Sequence, residues 1–267
     1  MRIEWNAHMF SRDRGRYPFH AQAAYTPREE MLAADPLGDY LARMQAEGID
    51  RGVLVQPEPY GDDHALVLDC LAREPDRLRG TAFFYPKDPA APQKLVALAW
   101  REPRIIAMRF HAHRGKEQYL DSFADPGVRA LWHRAADLGM IIELHIGPNY
   151  AADLAALLPA YPRVPVLIDH LAEPQLGSPG EYEDVLALAK FDHVLMKLSG
   201  LGHFAKAAPL YEDALPLTRR VVDAFGPDRL VWGDGSPRII DTHLAHLPAA
   251  ERAKVHGGNL ARLLKFA

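Results

Sequence analysis

Eight short apolar runs alternate with amphipathic stretches along 267 residues, and several of the runs end in His, Lys, Arg or Asp. Alternation of this kind predicts a parallel sheet, because consecutive parallel strands need a helical crossover. Eight such units in this length predict an α/β fold of the (β/α)8 TIM-barrel type, since a barrel of this kind takes about 250 residues. A parallel eight-stranded barrel gathers all its strand C-termini at one mouth, where barrel enzymes keep their chemistry.

The first strand is read at 2–9, with Glu4, Asn6 and His8 on one face by the period of two. A long polar and aromatic loop follows, carrying Asp13, Arg16, Tyr17, Pro18, His20 and Tyr25, and loops of this length are often functional. A helix over 36–47 stops at Gly48, a good C-cap residue. Strand 51–56 leads into helix 62–74, for which Asp62 or Asp63 is the simplest N-cap. Strand 79–85 is followed by helix 90–100, strand 105–111 by helix 126–138, and strand 140–146 by helix 151–160. Strand 164–170 is followed by helix 181–190, strand 193–199 by helix 209–225, and strand 229–233 by closing helices near 248–255 and 259–265. Cys70 sits mid-helix between Leu68 and Leu71 and reads as core, as Trp232 reads as packing. No linker or low-complexity segment interrupts the rhythm, so one domain over 1–267 is expected.

The apolar fraction of 48% and charged fraction of 25% are those of a soluble globular protein. A net charge of -4 without long basic or acidic blocks argues against nucleic acid or a membrane surface as partner. No apolar stretch approaches the roughly 20 residues of a membrane helix, and the N-terminal Met1-Arg2-Ile3-Glu4-Trp5 runs into a strand rather than a signal peptide. A single cysteine allows no internal disulfide and suits a reducing, cytoplasmic setting. The expected partner is a small molecule, with self-association into a homo-oligomer left open.

The strand ends supply the candidate chemistry. His8 closes the first strand; Arg109, His111 and His113 alternate through the end of the fourth; His145 and His170 end the fifth and sixth; Lys197 and Ser199 end the seventh; Asp234 ends the eighth. Neutral imidazoles suit Zn²⁺, and a carboxylate can take a proton from water held by a metal or by histidines. One such residue alone is most simply a satisfied polar strand end. Several at one mouth point to a hydrolytic site.

These residues carry a resemblance. The chain resembles the amidohydrolase superfamily, in the amidohydrolase-related branch similar to pyrone-dicarboxylate lactonase and sugar-acid lactonases. The stretches concerned are Asn6-Ala-His8-Met-Phe-Ser-Arg-Asp13-Arg-Gly-Arg16-Tyr17-Pro18, Glu143-Leu-His145, Ile168-Asp169-His170-Leu-Ala-Glu-Pro174, Lys197-Leu-Ser199-Gly200, Trp232-Gly-Asp-Gly-Ser-Pro237 and Asn259-Leu-Ala-Arg-Leu263. They span the chain in the family's order. The resemblance implies a (β/α)8 barrel hydrolase. His8, His145 and His170 would then hold one divalent ion, zinc for preference, or polarise a carbonyl without any metal, and Asp234 would be the general base. Its pattern places the first His of a His-x-His pair on Asn6, and Asn is a poor Zn²⁺ ligand. It places the acid of the eighth strand on Gly235, one position past Asp234. A one-residue shift turns a strand side chain to the opposite face unless a bulge or glycine turn re-aims it; Asp241 is a nearby substitute.

Charge suggests the substrate. Arg109, His111, His113 and Arg114 form a cationic cluster, and a guanidinium suits bidentate carboxylate binding. Tyr17, Arg16 and His20 could add to it from the first loop, and Asn6 from the first strand. Lys197 would bind an anion or pair with Glu143 inside the barrel. The reading is a hydrolase that opens the lactone of a sugar acid or dicarboxylic acid. A metal-dependent decarboxylase of the same superfamily and a non-catalytic acid-binding barrel are the alternatives.

Overall fold

A computed structural model of the chain describes residues 1–112 and 119–264. Eight parallel strands form one sheet in chain order. They are β1 (Ile3–Ala7), β2 (Arg51–Leu54), β3 (Leu78–Phe83), β4 (Ile105–His111), β5 (Ile141–His145), β6 (Val166–Ile168), β7 (Val194–Leu198) and β8 (Leu230–Trp232). β8 comes round beside β1, so the barrel is nearly closed. Helices alternate with the strands: α1 (Pro36–Glu47), α2 (Ala65–Arg73), α3 (Ala91–Arg101), α4 (Pro126–Asp137), α5 (Ala151–Leu157), α6 (Pro179–Ala187) and α7 (Leu215–Phe225). After β8 come α8 (Arg238–His243), α9 (Ala249–Ala253) and α10 (Asn259–Leu263). No helix of the described residues is long and apolar enough to cross a membrane.

Apart from α8, which the sequence reading lacks, the main differences from that reading lie at element ends and have local causes. α7 starts at Leu215 rather than 209, because the Asp213 carboxylate accepts the N–H groups of Lys206 and Ala207 at 2.7 and 3.2 Å and folds that segment into a turn. α2 starts at Ala65, and neither Asp62 nor Asp63 is its N-cap. Asp63 accepts the Ala65 N–H at 2.9 Å, while Asp62 takes Lys94 Nζ at 2.8 Å. β6 is three residues long, because the chain leaves the sheet at Asp169.

Alternation divides the strand residues between two cores. Leu54, Met108, Ile142, Ile168, Met196 and Trp232 face the helices, where Cys70 and Trp132 also lie. Trp5, Val53, Ala107, Leu167, Leu195 and Val231 face the barrel axis and meet Leu260 of α10. α10 is tied beneath the barrel: Asn259 Nδ2 donates to the carbonyls of Pro227 and Leu230, each at 2.8 Å. Burial of these branched and aromatic side chains, at about 25 cal/mol per Å² of apolar surface, is the main stabilising term.

One irregularity decides the site. The β1–β2 register slips between Trp5 and Ala7, so β1 carries an extra residue. Glu4 therefore does not share a face with Asn6 and His8, contrary to the period of two. Glu4 points outward to Arg43 of α1, whereas Asn6 and His8 turn to the mouth.

Candidate active site

Above the apolar floor the barrel axis holds a layer of charges. Arg109, Glu143, Asp169 and Lys197 come from β4, β5, the end of β6 and β7, each two residues beyond an apolar floor residue of its strand. Arg109 and Glu143 are directly opposite each other in register. Lys197 Nζ lies 2.5 Å from Glu143 Oε1 and 2.6 Å from Asp169 Oδ1. Arg109 donates to Asp169 Oδ2 from Nε at 3.1 Å and from Nη2 at 2.8 Å. Glu143, Asp169 and Lys197 are all 0% exposed. Two positive and two negative groups balance, as buried charges must. Burial pushes both acids up, but Asp169 has two cations against it and falls below the usual carboxylate range. Glu143, with Asp169 beside it, is pushed up to about 7.

The layer continues through His145. Its Nδ1 faces Arg109 Nη2 at 2.9 Å, and an arginine only donates, so Nδ1 carries the lone pair. Its Nε2 then donates to Glu173 Oε1 at 2.7 Å. Glu173 is fully buried and also accepts from His203 Nδ1 at 2.9 Å and Gln175 Nε2 at 2.6 Å. Between Asp169 and Glu173 the backbone makes a left-handed turn, with φ of 51, 55, 60 and 48° from His170 to Glu173. Such a conformation is costly for residues with a Cβ and persists only where neighbours over-determine it. Here Arg109 and Lys197 hold one end and the Glu173 cluster holds the other. The turn swings His170 out of strand alternation to meet Ser199, with Nδ1 and Oγ 2.8 Å apart. Gly200, at φ 64°, closes against that ring: a Cβ there would lie 2.6 to 2.7 Å from its atoms.

Asn6, His8 and Asp234 meet at the β1–β8 seam. Asn6 Nδ2 donates to Asp234 Oδ2 at 3.3 Å, and Asn6 Oδ1 accepts from Lys197 Nζ at 3.4 Å. The Gly200 N–H donates to Asp234 Oδ1 at 3.0 Å. β8 stops at Trp232, so alternation no longer dictates where Asp234 points. Trp232 Nε1 donates to the Asp234 carbonyl at 2.8 Å, and Gly235 reverses the chain at φ 76°, which aims the acid at the mouth. Trp232 is thus a clasp as well as packing. Asp241 lies away, bonded to His256 at 3.2 Å. Burial raises the Asp234 carboxyl, partly offset by the Gly200 N–H and by His203 nearby. His8 Nδ1 faces the Val55 carbonyl at 3.1 Å, so Nδ1 carries the proton and Nε2 the lone pair. Burial first, then Arg109, lower His8 to about 3, and burial also takes His170 well below its ordinary value. Both imidazoles are neutral near pH 7. Asn6, His8 and Asp234 line one cavity of about 960 Å³, whose wall includes Arg12 and Phe10.

Of the residues singled out from the sequence, Asn6, His8, Arg109, His111, His145, His170, Lys197 and Asp234 gather at the mouth and the layer beneath it. His111 packs on His145 with ring centroids 4.6 Å apart, and His145 on His170 at 4.7 Å. Tyr17 does not join them: its hydroxyl bonds Asp69 of α2 at 2.5 Å. His113 lies outside the described residues. Arg109 and Lys197 are committed to buried acids rather than to the cavity wall. Glu173 and His203 escaped the sequence reading, since both follow strand ends in loops. The only hint was the acid three places after His170.

A divalent ion would need free donors. His145, Asp169 and His170 bring ligand atoms within 4.8 Å of one another, and His8, expected with the two histidines, is not in that group. The Asp169 oxygens already face Arg109 and Lys197, and both His145 nitrogens are engaged. Two fixed cations beside the carboxylate oppose a third positive charge, so these residues do not fit a resident dication.

Residues 3–266 match the family model described as Amidohydrolase. The 4-sulfomuconolactone hydrolase of Hydrogenophaga intermedia is 29% identical over 225 residues, covering 83% of this chain and 70% of that protein. The L-fucono-1,5-lactonase of Burkholderia ambifaria is 30% identical over 196 residues, covering 71% of this chain and 66% of that protein. A solved structure assigned as a 2-pyrone-4,6-dicarboxylic acid hydrolase from Acinetobacter baumannii, with citric acid bound, aligns at TM-score 0.80 and 22% identity over 99% of both chains. With the barrel, the strand-end histidines and the acid after β8 in place, the chain belongs to the amidohydrolase family.

Proposed function

We propose that the protein is a hydrolase that opens a lactone of a sugar acid or dicarboxylic acid by water attack on the ring carbonyl. The similar proteins named above act on lactones whose acid portions differ, so attack on the cyclic ester is the shared step. The observation that carries the reading is the Asp234 carboxylate. Asn6 and the Gly200 N–H hold it at the mouth, next to the residue that packs on His170.

Asp234 takes a proton from the attacking water, and its raised pKa brings it nearer the neutral range where a general base works best. We assign the Ser199 hydroxyl, 2.8 Å from His170 Nδ1, as the donor of that pair, which leaves Nε2–H to donate to the carbonyl oxygen as negative charge develops. The His8 lone pair orients the water from the other side. Asn6 stands where the superfamily pattern has a metal ligand, but it links Lys197 to Asp234 and so fixes the base. Arg12 on the cavity wall suits an anionic or hydroxyl-rich acid portion. The donor set supports hydrolysis without a resident metal, and it gives the decarboxylase alternative, which needs one, less support.

Acid release across a panel of sugar-acid and dicarboxylic lactones, followed with a pH indicator, tests the reading. The wild type should turn over at least one member. Asp234→Asn should lose about 10² to 10⁴-fold in kcat with its fold intact. No acid release from any lactone by folded protein would overturn the proposal.

A further inference from the structure

We infer that His203, oriented by Glu173, donates the proton that the leaving ring oxygen takes as the lactone opens. The inference rests on the lactonase reading and adds to it a second proton-transfer residue, distinct from the base.

Opening a lactone needs two proton transfers. As the C–O bond to water forms, water gives a proton to Asp234. As the tetrahedral intermediate collapses, the ring C–O bond breaks and its electron pair goes to the ring oxygen. That oxygen becomes an alcohol only by gaining a proton; the other product is the carboxylic acid.

Most groups at the mouth are unsuited to supply it. His8 gives its one proton to the Val55 carbonyl and presents a lone pair. His145 is held at both nitrogens, between Arg109 and Glu173. Lys197 is fully buried between Glu143 and Asp169. His170 is assigned to the carbonyl oxygen; Asp234 has only the proton it took from water, which it releases to solvent here, and the variants below separate this route from its direct return to the ring oxygen.

His203 has the geometry required. It ends the short turn Leu201–His203 just after Gly200, whose N–H holds Asp234. Its ring lies edge-on to the His170 ring, with centroids 5.1 Å apart. Its Nδ1 faces both Glu173 oxygens, at 2.9 and 3.0 Å. A carboxylate accepts, so Nδ1 is a donor; Nε2 is the nitrogen left for chemistry, and it has a proton to give when the ring is an imidazolium, whose charge the Glu173 carboxylate balances, as in an acid–histidine pair that fixes orientation. The side chain is 34% exposed, so solvent water can restore the spent proton. Glu173, itself 0% exposed, is anchored by His145 and Gln175 and cannot follow His203 if it moves.

The test uses two variants. His203→Asn keeps an amide N–H in the place of Nδ1, and so the bond to Glu173, but has nothing in the place of Nε2. His203→Ala opens a partly exposed space that imidazole from the buffer can enter. With the lactone that the wild type opens fastest, His203→Asn should lose about 10²-fold or more in kcat, with KM within a few-fold and the melting temperature unchanged. Added imidazole should restore the Ala variant in a concentration-dependent way. If His203→Asn keeps kcat within a few-fold of the wild type, the side chain only supports Glu173 and the inference is wrong. A loss in His203→Ala that imidazole does not relieve would also overturn it. If the wild type opens no lactone, the lactonase reading itself fails and takes this step with it.

Discussion

Replacing Lys197 by Met removes the one ammonium shared by Glu143 and Asp169. In the native barrel its Nζ lies 2.5 Å from the first acid and 2.6 Å from the second, with all three side chains out of water. Without it, Arg109 is the remaining cation among the described residues that faces both acids, at 2.8 Å from Asp169 but 3.9 Å from Glu143. Breaking a buried pair by deleting one partner costs about 3 to 5 kcal/mol, because the other charge is left uncompensated. In a protein of this size that corresponds to a melting temperature lower by roughly 6 to 20 °C. Adding Glu143→Gln to Lys197→Met removes the stranded acid and leaves Arg109 matched to Asp169. The double variant should regain most of the loss. Denaturant unfolding at pH 7 of the wild type, both single variants and the double variant gives the coupling energy directly. A Lys197→Met loss below about 1 kcal/mol, or a double variant no more stable than Lys197→Met, would refute the account of the layer as a balanced charge set.

The contribution of two buried glutamates to stability should fall as pH rises from about 4.5 to about 7. Burial raises Glu143 and Glu4 from 4.5 to about 7, so each favours the fold when protonated; that contribution is complete below about 4.5 and lost as pH rises through about 7. Between pH 5 and 7 the melting temperature of the wild type should therefore fall relative to that of Glu143→Gln; parallel curves would contradict the assignment. Prolonged treatment with a chelator should leave turnover unchanged, and a loss restored by zinc would show that a metal does reside at the site. Gly200→Ala, with φ of 64° and a Cβ within 2.7 Å of the His170 ring, should displace that ring. We expect about 10²-fold lower kcat and a stability loss above ~1 kcal/mol; wild-type kcat would mean that His170 is not held where the chemistry needs it.

The sequence by itself determined the barrel. Strand and helix periods are local, and the runs at 36–47 and 105–111 coincide with α1 and β4 because nothing distant competes with them. It also determined that Asn6, His8, His145, His170 and Asp234 converge, since parallel strands in chain order bring their C-terminal ends together. What each residue does was decided by tertiary structure. An extra residue in β1 separates Asn6 and His8 from Glu4, and a left-handed turn and a glycine reversal re-aim His170 and Asp234. Arg109 looks like an anion binder in the chain, yet in the barrel it is spent on Asp169, and of the two readings open for Lys197 the pair with Glu143 is the one that forms. Glu173 and His203, 30 residues apart, become a pair only when the loops after β6 and β7 meet over the mouth. The physical reason is one of range. Backbone periodicity is written residue by residue, whereas a buried charge takes its protonation state and its role from partners that only the closed barrel supplies.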